Sequence, residues 1–217
     1  MDQLNNPKPA VVFDFGGVLM DWNPRYLYRK LFNGDSQAVE RFLTEIGFEE
    51  WNLRQDAGYP IANAIAELSA KFPHLAHLIQ AYDERWDETI AGSIQPTVEI
   101  LHSLKQAGYP LYGLTNWSAE TFSRVRHQYS FFDWFLDIVV SGEEKVVKPD
   151  PRLFAILLKR IGRPANECLL IDDSLPNVTG AAQLGIMTIR FESPEQLAAE
   201  LSRRHLLPNG ARLPTAL

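Results

Sequence analysis

From Pro96 onward the chain alternates short apolar, β-branched runs with amphipathic segments of helical spacing, and that alternation fixes the class of fold. The runs 110–115, 137–141, 168–172 and 186–191 read as strands. Segments 96–107, 119–129, 151–161, 176–184 and 194–205 read as helices. Pro96 and Pro151 sit just inside helix starts, and Gly108 and Gly185 just past helix ends, as helix termini prefer. A fifth apolar run, Ala10-Val11-Val12-Phe13, stands near the start of the chain and ends on Asp14, followed by Phe15-Gly16-Gly17. Near-continuous apolar strands are buried on both faces, which is the mark of a parallel sheet covered by helices. The spacing therefore predicts an α/β fold with a Rossmann-like parallel sheet.

Between the first and second strands the pattern changes. From Pro24 to about Ile90, apolar residues recur at helical spacing, with breaks at Asn33-Gly34, Gly58-Tyr59-Pro60 and Phe72-Pro73 and no strand pattern. This all-helical block, residues 21–92, is expected as an inserted cap over the strand ends. The core then comprises residues 1–20 and 93–217. A chain of 217 residues is long enough for one such core with an insertion.

The strands ending near residues 13, 115, 141 and 172 are each followed by polar residues. The first ends at Asp14 and the second at Thr115-Asn116, and Asp172-Asp173-Ser174 closes the run that starts at Cys168. Lys148 precedes Pro149-Asp150 at the next helix entry, and Asn177 follows four residues after Asp173. A right-handed parallel sheet brings carboxyl ends of strands to one rim, where ligands bind. Three carboxylates at short range repel unless a cation lies between them, and oxygen donors of this kind suit Mg²⁺. The Thr115 hydroxyl and the Lys148 ammonium are donors suited to phosphate oxygens, and a carboxylate such as Asp14 can act as a nucleophile.

The formal charge of −6 and pI near 5.4 disfavour nucleic acid or an anionic membrane as general partners. One cysteine, Cys168, excludes an internal disulfide and is expected as packed core. No apolar run approaches a membrane span, and the first residues lack the pattern of a signal peptide, so a cytoplasmic protein is expected. Residues 1–9 read as a loose lead-in and 206–217 as a frayed tail. The aromatic rings of Trp22 and Trp117, flanking two of the polar strand ends, could line a pocket but are expected to pack.

Together these stretches resemble the haloacid dehalogenase-like hydrolase superfamily. Asp14-Phe15-Gly16-Gly17-Val18-Leu19 looks like its first motif, Leu114-Thr115-Asn116 its second, Lys148-Pro149-Asp150 its third and Ile171-Asp172-Asp173-Ser174 its fourth. The order and spacing match over most of residues 9–191, and the block at 21–92 resembles the family's helical cap. The resemblance implies Mg²⁺ as cofactor and a small phosphorylated metabolite, such as a sugar phosphate, as substrate. It makes Asp14 the nucleophile and a metal ligand, with the Gly16 carbonyl, Asp173 and Asp172 completing the metal set. Thr115, Asn116 and Lys148 would hold the phosphoryl group.

One position departs from the pattern. Phosphatases of this superfamily usually carry a second aspartate two residues after the nucleophile, as general acid and base; here that residue is Gly16. Subgroups with Asp-Leu-Gly-Asn at this site lack it too and are still phosphatases. Asp21 is the nearest substitute in sequence, although it is also placed to cap the helix near Pro24. Two other readings follow from the same resemblance: a 2-haloacid dehalogenase, which needs neither that acid nor Mg²⁺, and a phosphate-binding regulatory protein without turnover.

Overall fold

The structure, a computed structural model, describes residues 8–207. The readings of residues 1–7 as lead-in and 208–217 as tail lie outside the described residues. In chain order come β1 (Ala10–Phe13), β2 (Met20–Trp22), α1 (Pro24–Leu31), α2 (Ser36–Ile46), α3 (Phe48–Asp56), α4 (Ile61–Lys71) and α5 (Ala76–Glu84). Then follow β3 (Ile90–Ser93), α6 (Gln95–Gln106), β4 (Leu111–Thr115), α7 (Ala119–Val125), β5 (Asp137–Val140) and the single turn α8 (Ser141–Glu144). The chain closes with α9 (Pro151–Ile161), β6 (Cys168–Asp172), α10 (Leu175–Gln183), β7 (Met187–Arg190) and α11 (Pro194–Arg203).

Five strands form one parallel sheet in the order β5-β4-β1-β6-β7. The first strand in the chain is thus the middle of the sheet, and the connections run outward from it in both directions. Such a reversal opens a crevice at the carboxyl ends of the central strands. The register sets Phe13 beside Gly113 of β4 and Ile171 of β6, so Asp14 leaves the sheet between the ends of those two strands.

Side chains of β1 alternate between two apolar layers. Ala10 and Val12 join Leu153, Phe154 and Leu157 of α9 on one face. Val11 and Phe13 join a larger cluster on the other face. That cluster continues past the sheet through Phe15, Leu19 and Met20 into Leu27, Tyr28, Phe42 and Trp51 of the helical block. Phe15 has its ring stacked on Phe122, edge-on to Phe132 and tilted against Phe135. It also lies over Gly113, where a Cβ would collide with the ring.

The block between β2 and β3 is built of α1–α5, as the spacing predicts, but it has two features that the periodicity hides. Gly47, with φ of 65°, ends α2 and starts α3 in the left-handed region, a break within an unbroken apolar pattern. Residues 20–22 and 90–93 are strands rather than loop and helix end: they pair as an antiparallel ribbon at the two crossings between block and sheet. At three and four residues they are too short to show alternation. Two helices also stop early: α7 gives way after Val125 to a 3₁₀ turn, and α11 ends at Arg203. No helix among the described residues is long and apolar enough to cross a membrane.

Candidate active site

Asp14 begins the turn beyond β1, where its backbone N–H still donates to the Ile171 carbonyl of β6 at 2.9 Å. One of its carboxylate oxygens accepts from the Phe15 N–H at 2.7 Å, and the other meets the Lys148 ammonium at 2.9 Å. The same ammonium donates to Asp172 at 2.7 Å and to the Leu114 carbonyl at 3.0 Å, so all three of its hydrogens have partners. Lys148 is buried at 3% exposure, and Asp172 is fully enclosed. Burial alone would lower the Lys148 pKa, but the charges of Asp14 and Asp172 outweigh it and hold the ammonium above its ordinary value.

The long Lys148 stem is aimed from its own backbone. The Asn116 side chain accepts from the Lys148 N–H at 2.8 Å and donates to the Lys148 carbonyl at 3.1 Å, tying the end of β4 to the loop before α9. That amide therefore serves the lysine directly. Asp172 is fixed in a similar way, accepting from the Ser174 N–H at 2.9 Å and from the Asn177 amide at 3.0 and 3.1 Å. Asn177, four residues past Asp173, thus belongs to the site.

Asp173 is the open member of the group. Its carboxyl, with those of Asp14 and Asp172, offers oxygens that all lie within 4.8 Å of one another. Burial and then the Asp172 charge hold the Asp173 carboxyl above its ordinary value. Burial raises Asp14 further, with Lys148 opposing it and the two neighbouring aspartates adding to it. With the three carboxylates ionised, one lysine leaves two negative charges unbalanced, which is the charge of one divalent cation. The turn's own hydrogen bonds go to the carbonyls of Phe15 and Met20, so the Gly16 carbonyl is not used by them. This donor set fits Mg²⁺.

A second orphan fits an anion beside it. The Thr115 hydroxyl, at the end of β4, is buried and has no hydrogen-bond partner among the described residues. A buried hydroxyl left unpaired costs stability, and a ligand oxygen would satisfy it.

The two glycines after Asp14 differ. Gly17 has φ of 74°, and a Cβ there would stand 2.7 Å from a carboxylate oxygen of Asp173. Gly17→Ala is expected to cost about 1–2 kcal/mol from the left-handed backbone and to push Asp173 out of place. Mg²⁺ affinity should then fall on the order of 10-fold, in line with other changes that disturb the support of a metal ligand. Titrating the thermal midpoint with Mg²⁺ reads it; an unchanged affinity would mean Asp173 holds no metal. At Gly16, by contrast, a Cβ would meet nothing within 4 Å.

Gly16 opens onto a cleft with about 440 Å³ of empty space, counting its mouth. Asn116, Trp117, Ser118 and Thr121 line it from the sheet side, and Trp22, Asn52, Gln55, Asp56, Tyr82 and Trp86 from the helical block. Trp22 and Trp117 pack against the core, as expected, and also wall this cleft. Asp21 is not among its lining residues: both its oxygens accept from the Tyr26 hydroxyl, at 2.8 and 3.0 Å. Nor does Asp21 cap α1, because Asn23 does so through the Arg25 N–H.

A family model of haloacid dehalogenase-like hydrolases matches residues 8–185. The chain belongs to this family. It is 28% identical over 202 residues to the sesquiterpene phosphatase astK of Aspergillus oryzae, covering 91% of this chain and 96% of that one. It is 26% identical to an (S)-2-haloacid dehalogenase of Pseudomonas fluorescens, covering 81% of each. Among solved structures it is similar to the family enzyme BT-2542 of Bacteroides thetaiotaomicron in complex with magnesium and inorganic phosphate. The TM-score there is 0.64 at 26% identity, with 85% of this chain and 94% of that one covered. As a member of this family, the protein is a hydrolase.

Proposed function

We propose that this hydrolase is a Mg²⁺-dependent phosphomonoesterase acting on a small phosphorylated metabolite, with Asp14 as the nucleophile. The observation that carries this reading is the pairing of two unmet needs at one rim. Among the described residues, three carboxylates share a single lysine and a buried threonine hydroxyl lacks a partner. A divalent cation and a phosphate together answer both. The likeness to a phosphatase along almost the whole chain supports it, as does the magnesium and phosphate of BT-2542.

In this reading Asp14, the Gly16 carbonyl and Asp173 hold Mg²⁺, with Asp172 supporting them. When bound, the cation neutralises charge on the phosphoryl oxygens. Asp14 attacks phosphorus in line and becomes an aspartyl-phosphate, which water then cleaves. Lys148 holds the Asp14 carboxylate in line, and the Thr115 hydroxyl donates to a phosphoryl oxygen. Asn116 keeps Lys148 in place through its backbone. Residues 21–92 act as the cap, whose Trp22, Tyr82 and Trp86 meet Trp117 around the leaving group. Those rings suit a leaving group with an apolar face, whether an isoprenoid chain or the flat side of a sugar.

The test is phosphate release from a panel of sugar, nucleotide, aryl and isoprenoid phosphates, with Mg²⁺ or with EDTA. Release that requires Mg²⁺ is expected. Chloride release from 2-chloropropionate in EDTA would instead make the protein a dehalogenase, a reaction that gives the acidic cluster no task. Silence on every substrate would leave a binding protein.

A further inference from the structure

We propose that Asp56 is the general acid and base of the reaction, supplied from the helical block in place of the side chain that Gly16 lacks. This rests on the phosphatase reading above. A Cβ at position 16 would meet nothing within 4 Å, and Gly16 lines the cleft. Asp56, the last residue of α3, lines the same cleft from the helical block.

The Asp56 carboxyl is held by a relay of hydrogen bonds whose every member also lines the cleft. The Trp86 indole N–H donates to the Tyr82 oxygen at 3.2 Å, and the Tyr82 hydroxyl donates to Asn52 Oδ1 at 2.6 Å. Asn52 Nδ2 then donates to Asp56 Oδ2 at 3.0 Å. The main chain is anchored as well. The Asp56 carbonyl accepts from the Ser141 hydroxyl at 2.6 Å, and that hydroxyl accepts from the Trp117 N–H at 2.9 Å. The end of α3 is therefore fixed on the turn that follows Thr115 and Asn116. A side chain fixed in this manner is pre-organised for proton transfer.

Its surroundings suit the role. Burial pushes the Asp56 carboxyl up to about 7, and the Ser118 backbone N–H opposes that rise. Among the described residues no cation contributes; Glu120 of α7, Glu143 and Glu144 of α8 and Lys145 just past its end lie on the elements packed around it without bearing on its charge. Tyr82 is the titratable neighbour, held far above its ordinary value by burial and then by the Asp56 charge, so it stays neutral. Near neutral pH both forms of Asp56 are accessible, as a residue that first gives and then takes a proton requires.

The step balances. Asp14 forms a bond to phosphorus as the bond from phosphorus to the ester oxygen breaks. That oxygen keeps the electron pair and takes the Asp56 proton, leaving as an alcohol. Asp56, now a carboxylate, takes a proton from the water that attacks the aspartyl-phosphate. Inorganic phosphate departs, Asp14 is a carboxylate again and Asp56 an acid.

The experiment compares the wild type with Asp56→Asn on an alkyl phosphate, whose leaving oxygen needs a proton, and on acetyl phosphate, whose leaving group does not. Asp56→Asn is expected to lose on the order of 10²–10⁴-fold in kcat on the alkyl phosphate and far less on acetyl phosphate. Retained acetyl phosphate hydrolysis also reports a folded variant. Gly16→Asp added to Asp56→Asn should restore part of the alkyl phosphate activity, because position 16 has room for a side chain and lines the same cleft. Losses equal on both substrates would overturn the proposal, as would wild-type rates that fall steeply as the leaving group becomes more basic. A wild type that releases phosphate from neither these substrates nor any of the panel above would instead overturn the phosphatase reading itself.

Discussion

Lys148→Met is expected to lower stability by about 3–5 kcal/mol, the usual cost of removing one partner from a buried ion pair, and to abolish turnover. The methionine fills most of the volume, so packing is not the cause. What changes is that Asp14 and Asp172 keep their burial and lose the one cation between them. The loss should depend on pH with a definite sign. Asp14 is raised by burial even with the lysine present, and it rises further without it. A carboxyl with a raised folded-state pKa favours the folded state at low pH, and that contribution is lost as pH rises toward the folded value. Urea unfolding of the variant should thus resemble wild type most closely in acid and diverge on the way to alkaline pH. Mg²⁺ should recover part of the difference. Equal losses at all pH values would show that the lysine acts through packing.

Asp14→Asn is expected to reduce phosphate release by more than about 10⁴-fold, as when a nucleophile is removed from other hydrolases. Yet it should leave the fold as stable as wild type or slightly more so. Asparagine keeps the shape and the contact to the Phe15 N–H while removing one of three mutually repelling carboxylates. Asp172 still pairs with Lys148. Two inactive variants should therefore separate in urea, one unstable and one not. Chemistry and folding meet at the lysine and part at the aspartate.

The sheet was legible because its central strands are buried on both faces. Ala10–Phe13 and Cys168–Asp172 carry no polar alternation that would confuse them with edge strands. The polar group after each of them was legible because it interrupts such a run. The ribbon at 20–22 and 90–93 was not, since three or four residues with mixed burial give no period. Gly47 escaped because the apolar spacing of α2 flows into α3 across it.

Asp56, proposed above as the acid and base, is not singled out by its sequence. It lies in a polar stretch, Arg54-Gln55-Asp56, whose spacing gives no sign of a cleft, and its partners Ser118 and Ser141 come from elements distant in sequence. One signal was present: an acid in the last turn of a helix faces carbonyl ends that disfavour it. Asp21 drew attention instead for its nearness in sequence, but its strand places Trp22 at the cleft. Which carboxylate faces the Gly16 opening is a property of tertiary packing, beyond what spacing conveys.

The central claim is covalent, and one measurement reaches it directly. Wild-type protein mixed with substrate and Mg²⁺, quenched in acid within a turnover and digested, should show the mass of one phosphoryl group on the peptide carrying Asp14. The same peptide from Asp14→Asn should show none. Steady phosphate release with no adduct on that peptide, or release that survives Asp14→Asn, would contradict the account.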